Sequence, residues 1–210
     1  MPDDALPLVH VDDDLVVIDK PAGLLSVPGR GPDKADCAAS RVQARFADAL
    51  VVHRLDMGTS GLLVFGRGPA AQRALSMAFE QRLTSKRYQA LVAGWPAQAE
   101  GRIDLPLICD WPNRPRQMVS HTVGKPSLTL WQRLEAHALG ARLALEPITG
   151  RSHQLRVHLQ AIGHPILGDE LYAPPEVQAA APRLMLHAER LTLPHPRSGE
   201  PLVLHAPVPF

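Results

Sequence analysis

The chain has 210 residues, 45% of them hydrophobic and 20% charged, with a formal net charge of +1; this fits a globular protein with a sizeable core. No apolar run reaches the ~20 residues of a membrane-spanning helix, and the acidic start Met1-Pro2-Asp3-Asp4 lacks the basic and apolar regions of a secretory signal, so a cytoplasmic protein is expected. The two cysteines, Cys37 and Cys109, form neither a CxxC pair nor a zinc-type cluster, which excludes a disulfide framework and reads as reduced thiols.

Leu15-Val16-Val17-Ile18-Asp19 predicts a strand, ended by the turn signal Lys20-Pro21-Ala22-Gly23. Residues 24–27 resume an extended segment, and residues 28–32 read as a flexible loop. Asp36 is placed to cap a helix running to about Ala47, with Val42 and Phe46 one turn apart on one face. Apolar runs at 49–52 and 62–65 flank the polar stretch His53-Arg54-Leu55-Asp56-Met57-Gly58-Thr59-Ser60-Gly61. A strand that breaks for a charged, glycine-bearing turn and then resumes suggests a site on a rigid scaffold. Pro69 suits the first turn of a second helix, whose amphipathic period takes in Leu75, Ala78, Phe79 and Arg82-Leu83.

Residues 86–92 predict a strand closed by Gly94-Trp95-Pro96. Pro106, Pro112 and Pro115 make 104–117 irregular. Two strands near 127–134 and 141–146 are joined by a hairpin connection at 137–140. The turn 147–152 leads into a helix with Leu155, Leu159 and Ile162 on its apolar face and Gly163 at its end. Arg156 lies off that face, free to point toward a cleft. Two final strands, 184–193 and 201–204, flank a turn at 194–199. Strands dominate, helices are interspersed and no βαβ repeat is present. The fold class is therefore α+β: a mixed, mostly antiparallel sheet with packed helices, in a single domain over 1–210.

Charge is unevenly spread. Residues 1–20 carry six aspartates against one lysine, whereas residues 110–160 carry seven arginines and lysines against three acids. The second stretch permits a basic face for a polyanion. Ten histidines invite a metal, but His153 and His158 are five apart and fall on different helix faces, where a zincin helix needs four and an intervening Glu. No metal is expected. A paired-carboxylate glycosidase needs a partner for Asp56 at fixed separation; Glu146, Asp169 and Glu170 are available, but nothing in the sequence brings one to it. Asp169, after Gly168, reads more simply as an Asx turn. Thr59-Ser60-Gly61 is not the nucleophile elbow of a serine hydrolase. On residue chemistry alone Asp56 has two readings: a nucleophile kept ionised by Arg54, Arg151 or Arg156, or a structural ion pair in a turn.

Four motifs in order change that balance. His53-Arg54-Leu55-Asp56 with Thr59-Ser60-Gly61-Leu62-Leu63 resembles the catalytic motif of the RluA family of RNA pseudouridine synthases. Ile18-Asp19-Lys20-Pro21-Ala22-Gly23-Leu24, Lys86-Arg87-Tyr88, and the run from Thr149 through His158 to Asp169 resemble its other motifs. The likeness covers the chain from about residue 8 to Phe210, with Ser152 where many relatives have Thr and Arg67 where Lys is common. It implies the pseudouridine synthase fold without the N-terminal S4-like domain of larger members, since there is no room for one before Asp19. It also implies an isomerase needing no cofactor. By the same resemblance Asp56 is the essential carboxylate, Arg156 the arginine that pairs with it, and Tyr88 the aromatic residue that stacks on the target base. Arg54 enters the RNA stack as the target nucleotide leaves. His53, Thr59 and Arg151, with Trp111, Arg114 and Arg116 of the basic region, complete the expected substrate-binding set. Residues 105–115 and 147–158 are similar to those of members that modify both a 23S rRNA hairpin and a tRNA anticodon stem-loop. RNA is thus the expected partner, bound by a monomer, with no membrane association.

Overall fold

The computed structural model describes residues 6–31 and 34–210; the acidic start at 1–4, and Pro32 of the expected loop, lie outside the described residues. The chain divides into two compact units: the residues up to Ser85 with Ala188–Pro209, and Lys86–His187 with Phe210.

In the first unit, β1 (Leu8–Val11) and β2 (Leu15–Lys20) form an antiparallel hairpin. β2 pairs antiparallel with β4 (Ser60–Arg67), from Leu15 opposite Gly66 to Lys20 opposite Gly61. The short β3 (Ala49–Val51) pairs with the far end of β4, so that residues 52–59 form the loop of a hairpin. β11 (Leu186–Pro194) follows β4 in the sheet and carries β12 (Pro201–His205) antiparallel. Gly61 sits where β4 crosses this neighbour: its φ is +110°, and a Cβ there would collide with the Ala188 backbone. Leu15, Val17, Leu62, Val64, Leu75, Leu191 and Leu204 share one core cluster. All but Leu75 lie on strands and alternate along them, and the residues between them on β2 and β4 (Val16, Ile18, Leu63 and Phe65) are equally buried on the opposite face.

Two helices pack on this unit. α1 (Ala38–Arg45) lies on β3 and α2 (Gly68–Glu80) on β3 and β4. Asp36 is not the cap of α1. Cys37 is, in a reciprocal capping box with Ser40, while Asp36 binds Arg41 through both carboxylate oxygens. A thiol is a weak acceptor, so the capping position is hard to read from residue type. α2 carries Pro69 in its first turn as expected but stops at Glu80. Arg82 adopts φ +59°, which redirects the chain and leaves Leu83 exposed.

In the second unit, β5 (Ser85–Ala93), β10 (Gly140–Pro147), β9 (Leu128–His137) and β6 (Glu100–Asp104) are neighbours in that order, with every pairing antiparallel. Only Ala138 and Leu139 separate β9 from β10. The 104–117 region is less irregular than its prolines suggest. β7 (Leu107–Cys109) and β8 (Gln117–Val119) pair across a 3-10 turn at Trp111–Asn113. The prolines fall outside the paired residues, which is where a short ribbon tolerates them. α3 (Gln154–Ala161) packs on β8, β9 and β10, with Leu155, Leu159 and Ile162 in the core, and Gly163 ends it at φ +82°. The short α4 (Pro175–Ala179) completes the unit. Among the described residues, no helix is long and apolar enough to cross a membrane.

Candidate active site

His53, Arg54, Asp56 and Thr59 all lie on the loop between β3 and β4. This loop is held from beneath by the chain that follows β2. Ser26 Oγ donates to the Leu55 carbonyl at 2.7 Å and accepts from the Leu55 amide at 3.0 Å. The Gly23 amide donates to the Met57 carbonyl at 2.8 Å. Lys20, fully buried, directs its ammonium at three carbonyls: Leu24 (2.7 Å), Pro21 (2.9 Å) and Met57 (3.2 Å). A buried ammonium needs such partners, because desolvation without them costs several kcal/mol. Inside the loop, the Thr59 amide donates to the Asp56 carbonyl at 3.1 Å, closing the turn that carries Asp56.

His53 is stacked on Phe79, ring centroids 4.6 Å apart, and its Nε2 accepts the Val64 amide at 3.1 Å. An accepting Nε2 carries no proton, so the ring is neutral with hydrogen on Nδ1. His53 and the buried Thr59 thus shape the loop, while Arg54 is exposed and Asp56 half-buried. The result is a turn that carries a carboxylate and a guanidinium and is braced by backbone groups and by the side chains of Ser26, His53 and Lys20.

Tyr88 lies on β5 opposite Leu145, partly buried against the core of the second unit. Arg151 and Arg156 belong to the turn and first helical residues of α3. The turn is locked by Gln154, which is buried: its Oε1 accepts from Thr149 Oγ1 (2.7 Å) and the Arg151 amide (3.0 Å), and its Nε2 donates to the Leu128 carbonyl and Thr129 Oγ1, both at 3.0 Å. Arg151 is exposed, with its Nε 3.4 Å from the Pro126 carbonyl. Arg156 is buried, and its Nε and Nη2 grip both oxygens of the fully buried Asp169 at 2.8 and 2.7 Å. Asp169 Oδ1 also accepts the amides of Leu171 and Tyr172, which is the Asx turn expected of it. His158, fully buried, donates from Nε2 to the Leu105 carbonyl at 3.0 Å and accepts from Thr129 Oγ1 at 2.9 Å. Burial pushes its pKa below the ordinary value, against a weaker upward pull from the Leu105 carbonyl and Asp104.

Trp111, Arg114 and Arg116 cluster between β7 and β8. The Arg114 guanidinium lies over the Trp111 ring, 4.9 Å from its centroid. Arg116 lies over the ring of Tyr172 at 5.4 Å, and Arg156 lies over the same ring at 5.0 Å. The Tyr172 hydroxyl accepts the Gln117 amide and bonds His153 Nδ1, both at 2.7 Å. Tyr172 therefore joins the basic hairpin to α3. Neither this junction, nor the bracing by Lys20, nor the Asp169 clamp is legible in the sequence motifs.

Among the described residues, one group has spacing suited to a cation: ligand atoms of Asp12, Asp14 and His195 fall within 4.8 Å of one another. These side chains are already engaged by His10 and Arg197.

A family model described as RNA pseudouridylate synthase matches residues 14–161, spanning the motifs at 18–24, 53–63 and 86–88 and the start of the run at 149–169. The chain is 52% identical over 206 residues to "Dual-specificity RNA pseudouridine synthase RluA" of Escherichia coli (strain K12), covering 98% of this chain and 94% of that protein. It is 51% identical over 209 residues to the protein of the same name from Pasteurella multocida (strain Pm70), covering 99% and 95%. Among solved structures, Human RNA Pseudouridylate Synthase Domain Containing 1 matches with TM-score 0.83 at 29% identity, covering 99% of this chain and 85% of that one. Human RNA Pseudouridylate Synthase Domain Containing 4 matches with TM-score 0.79 at 26% identity, covering 97% and 88%. With the family model spanning most of its length and relatives sharing half its residues along almost the whole chain, this protein belongs to the RNA pseudouridylate synthases, isomerases that convert uridine in RNA to pseudouridine.

Proposed function

We propose that this chain isomerises uridines in hairpin loops of both 23S rRNA and the tRNA anticodon stem-loop, with Asp56 as the essential carboxylate. The observation that carries this reading is the 52% identity, over nearly the full length, to relatives named as dual-specificity enzymes. The rigid presentation of Asp56 and Arg54 on one braced loop supports it. In the reaction the N1–C1′ bond breaks, the uracil turns, C5 bonds to C1′, and the C5 proton is lost as N1 regains one. Three routes for the carboxylate fit this outcome: attack on C1′, addition to the base, or removal of a sugar proton.

In this reading Tyr88 stacks on the target base and assists proton removal at C5, and Arg156 orients the carboxylate. Arg54 fills the space that the extruded nucleotide leaves. Extrusion costs a few kcal/mol, and least in a loop. His53 and Thr59 serve binding by holding the Arg54 loop, and Arg151, Trp111, Arg114 and Arg116 face the RNA. No cofactor or metal takes part. Residues 1–210 act as one catalytic domain, as a monomer in the cytoplasm.

The test is to incubate the protein with a synthetic 23S rRNA hairpin and a tRNA anticodon stem-loop and map pseudouridine in each. Product in both, abolished by Asp56→Asn, is expected. Product in only one removes the dual specificity; release of free uracil removes the isomerase reading of Asp56.

A further inference from the structure

The three tryptophans have different surroundings. Trp131 is buried in the core of the second unit. Trp95 is half exposed but lies under Arg133, 4.1 Å from guanidinium carbon to ring centroid, and Arg133 is itself bonded to the Pro96 carbonyl. That pair is stapled to its own turn. Trp111 is 64% exposed, in a turn where burial cannot account for an indole.

The turn is nevertheless firmly built. The Asp110 carboxylate accepts from Asn113 Nδ2 at 3.0 and 3.2 Å. The Asp110 amide donates to the Arg116 carbonyl, the Asn113 amide to the Asp110 carbonyl and the Arg116 amide to the Asn113 carbonyl, each at 3.0 Å. Behind it, Arg116 and Gln117 are fastened to Tyr172. A large flat ring is thus held in water by a rigid frame, with the planar guanidinium of Arg114 over it. Rigid, exposed aromatic surface beside cations is what a sequence-tolerant grip on an unpaired base requires.

We propose that Trp111, with Arg114, is a stacking platform for an unpaired RNA base other than the uridine being isomerised, and that it selects looped over paired RNA. This rests on the reading of the substrate as an RNA hairpin. Paired bases keep their faces inside the helix, so the platform gains nothing from duplex; a loop can splay a base onto it. Arg114 adds a second flat surface and a phosphate contact, which a lysine reproduces only as a point charge.

The test uses the full chain and a synthetic uridine-bearing RNA stem-loop, with a series in which each loop base other than the uridine is singly replaced by an abasic site. Trp111→Ala is expected to raise Kd by roughly 5- to 150-fold, the value of one lost base stack. Trp111→Phe should recover most of the loss. One abasic position should weaken the wild type by the same factor and leave Trp111→Ala unaffected, and affinity for a fully paired duplex should not change. The proposal is overturned if Trp111→Ala binds the stem-loop like the wild type, loses affinity equally for stem-loop and duplex, or adds its full effect to every abasic site. A wild type that shows the coupling but makes no pseudouridine overturns the activity assigned above and leaves the platform standing.

Discussion

The loop at 52–59 and the segment at 149–158 both carry residues proposed for catalysis, and they are built on opposite plans. In the first, the charged side chains stay at or near the surface while backbone groups and neutral side chains do the holding: Ser26 on Leu55, His53 on Val64, and the one buried charge, Lys20, spread over three carbonyls. In the second, the functional side chain is itself buried and fixed by other side chains, through the Arg156–Asp169 fork and the Gln154–Thr149–Thr129–His158 network. The carboxylate proposed to meet substrate, Asp56, is presented on a braced turn. The guanidinium proposed to orient it, Arg156, is clamped. The first arrangement should tolerate loss of its functional group without unfolding; the second should not.

That contrast is broken most directly at the two acids. Asp56→Asn is expected to cut turnover by roughly 10⁴-fold or more, about 5.5 kcal/mol of transition-state stabilisation, while urea unfolding stays close to wild type. A large loss of stability in this variant would mean that Asp56 belongs to the clamped class. Asp169→Asn leaves Arg156 buried against a neutral amide and should cost about 3–5 kcal/mol of stability. The double variant Arg156→Met/Asp169→Leu should regain most of that stability, since an apolar pair avoids the unmatched charge, and should remain inactive. Recovery of activity along with stability would reduce the ion pair to a packing element. Lys20→Met removes the donor to the Pro21, Leu24 and Met57 carbonyls and should cost about 1–3 kcal/mol, read by the same unfolding curves. An unchanged curve would show that water replaces the ammonium and that the loop needs no brace.

Much of this was legible in the sequence, and the failures have physical causes. The runs at 15–19, 62–65 and 86–92 and the two tail segments announce strands because short apolar runs and the turn residues that bound them act locally. The loop carrying Asp56 was visible because a polar stretch interrupted two apolar ones. By contrast, the β7–β8 ribbon was hidden: it has three residues a side and is stabilised by contacts such as Gln117 with Tyr172, 55 residues away in sequence. The short β1 and β6 were missed for a similar reason, since each is defined by its neighbour in the sheet more than by its own pattern. The Asx turn of Asp169 was readable from Gly168, because an Asx turn is local. Its grip on Arg156, thirteen residues back, was not, because nothing in the spacing signals a long-range fork. The capping thiol of Cys37 escaped because cap preference is a statistical habit of oxygen-bearing residues.

Acid should separate the two units by the pH at which their titrating groups act, since both groups lose their contribution as pH falls, and this is the smallest effect expected. In the second unit, burial depresses the His158 pKa, so the unfolded chain takes up a proton that the folded site resists. That contribution is fully present above the unfolded value of about 6.5 and declines as pH falls below it toward the lowered folded value. In the first unit, burial alone would raise the Asp12 pKa, but hydrogen bonds from His10, the amides of Asp14 and Leu15, and His195 bring it down to about 2. Its contribution is present above the unfolded carboxylate value of 3.8 and is lost as pH falls through about 2. Amide exchange followed between pH 7 and pH 4 should therefore show protection falling first around α3 and β9, with the β1–β2 turn holding until lower pH. His158→Gln, which cannot be charged, should flatten the first decline. If the decline persists in that variant, the proton enters elsewhere in the 149–158 network, and the neutral Thr129–His158–Leu105 chain is not what sets its acid limit.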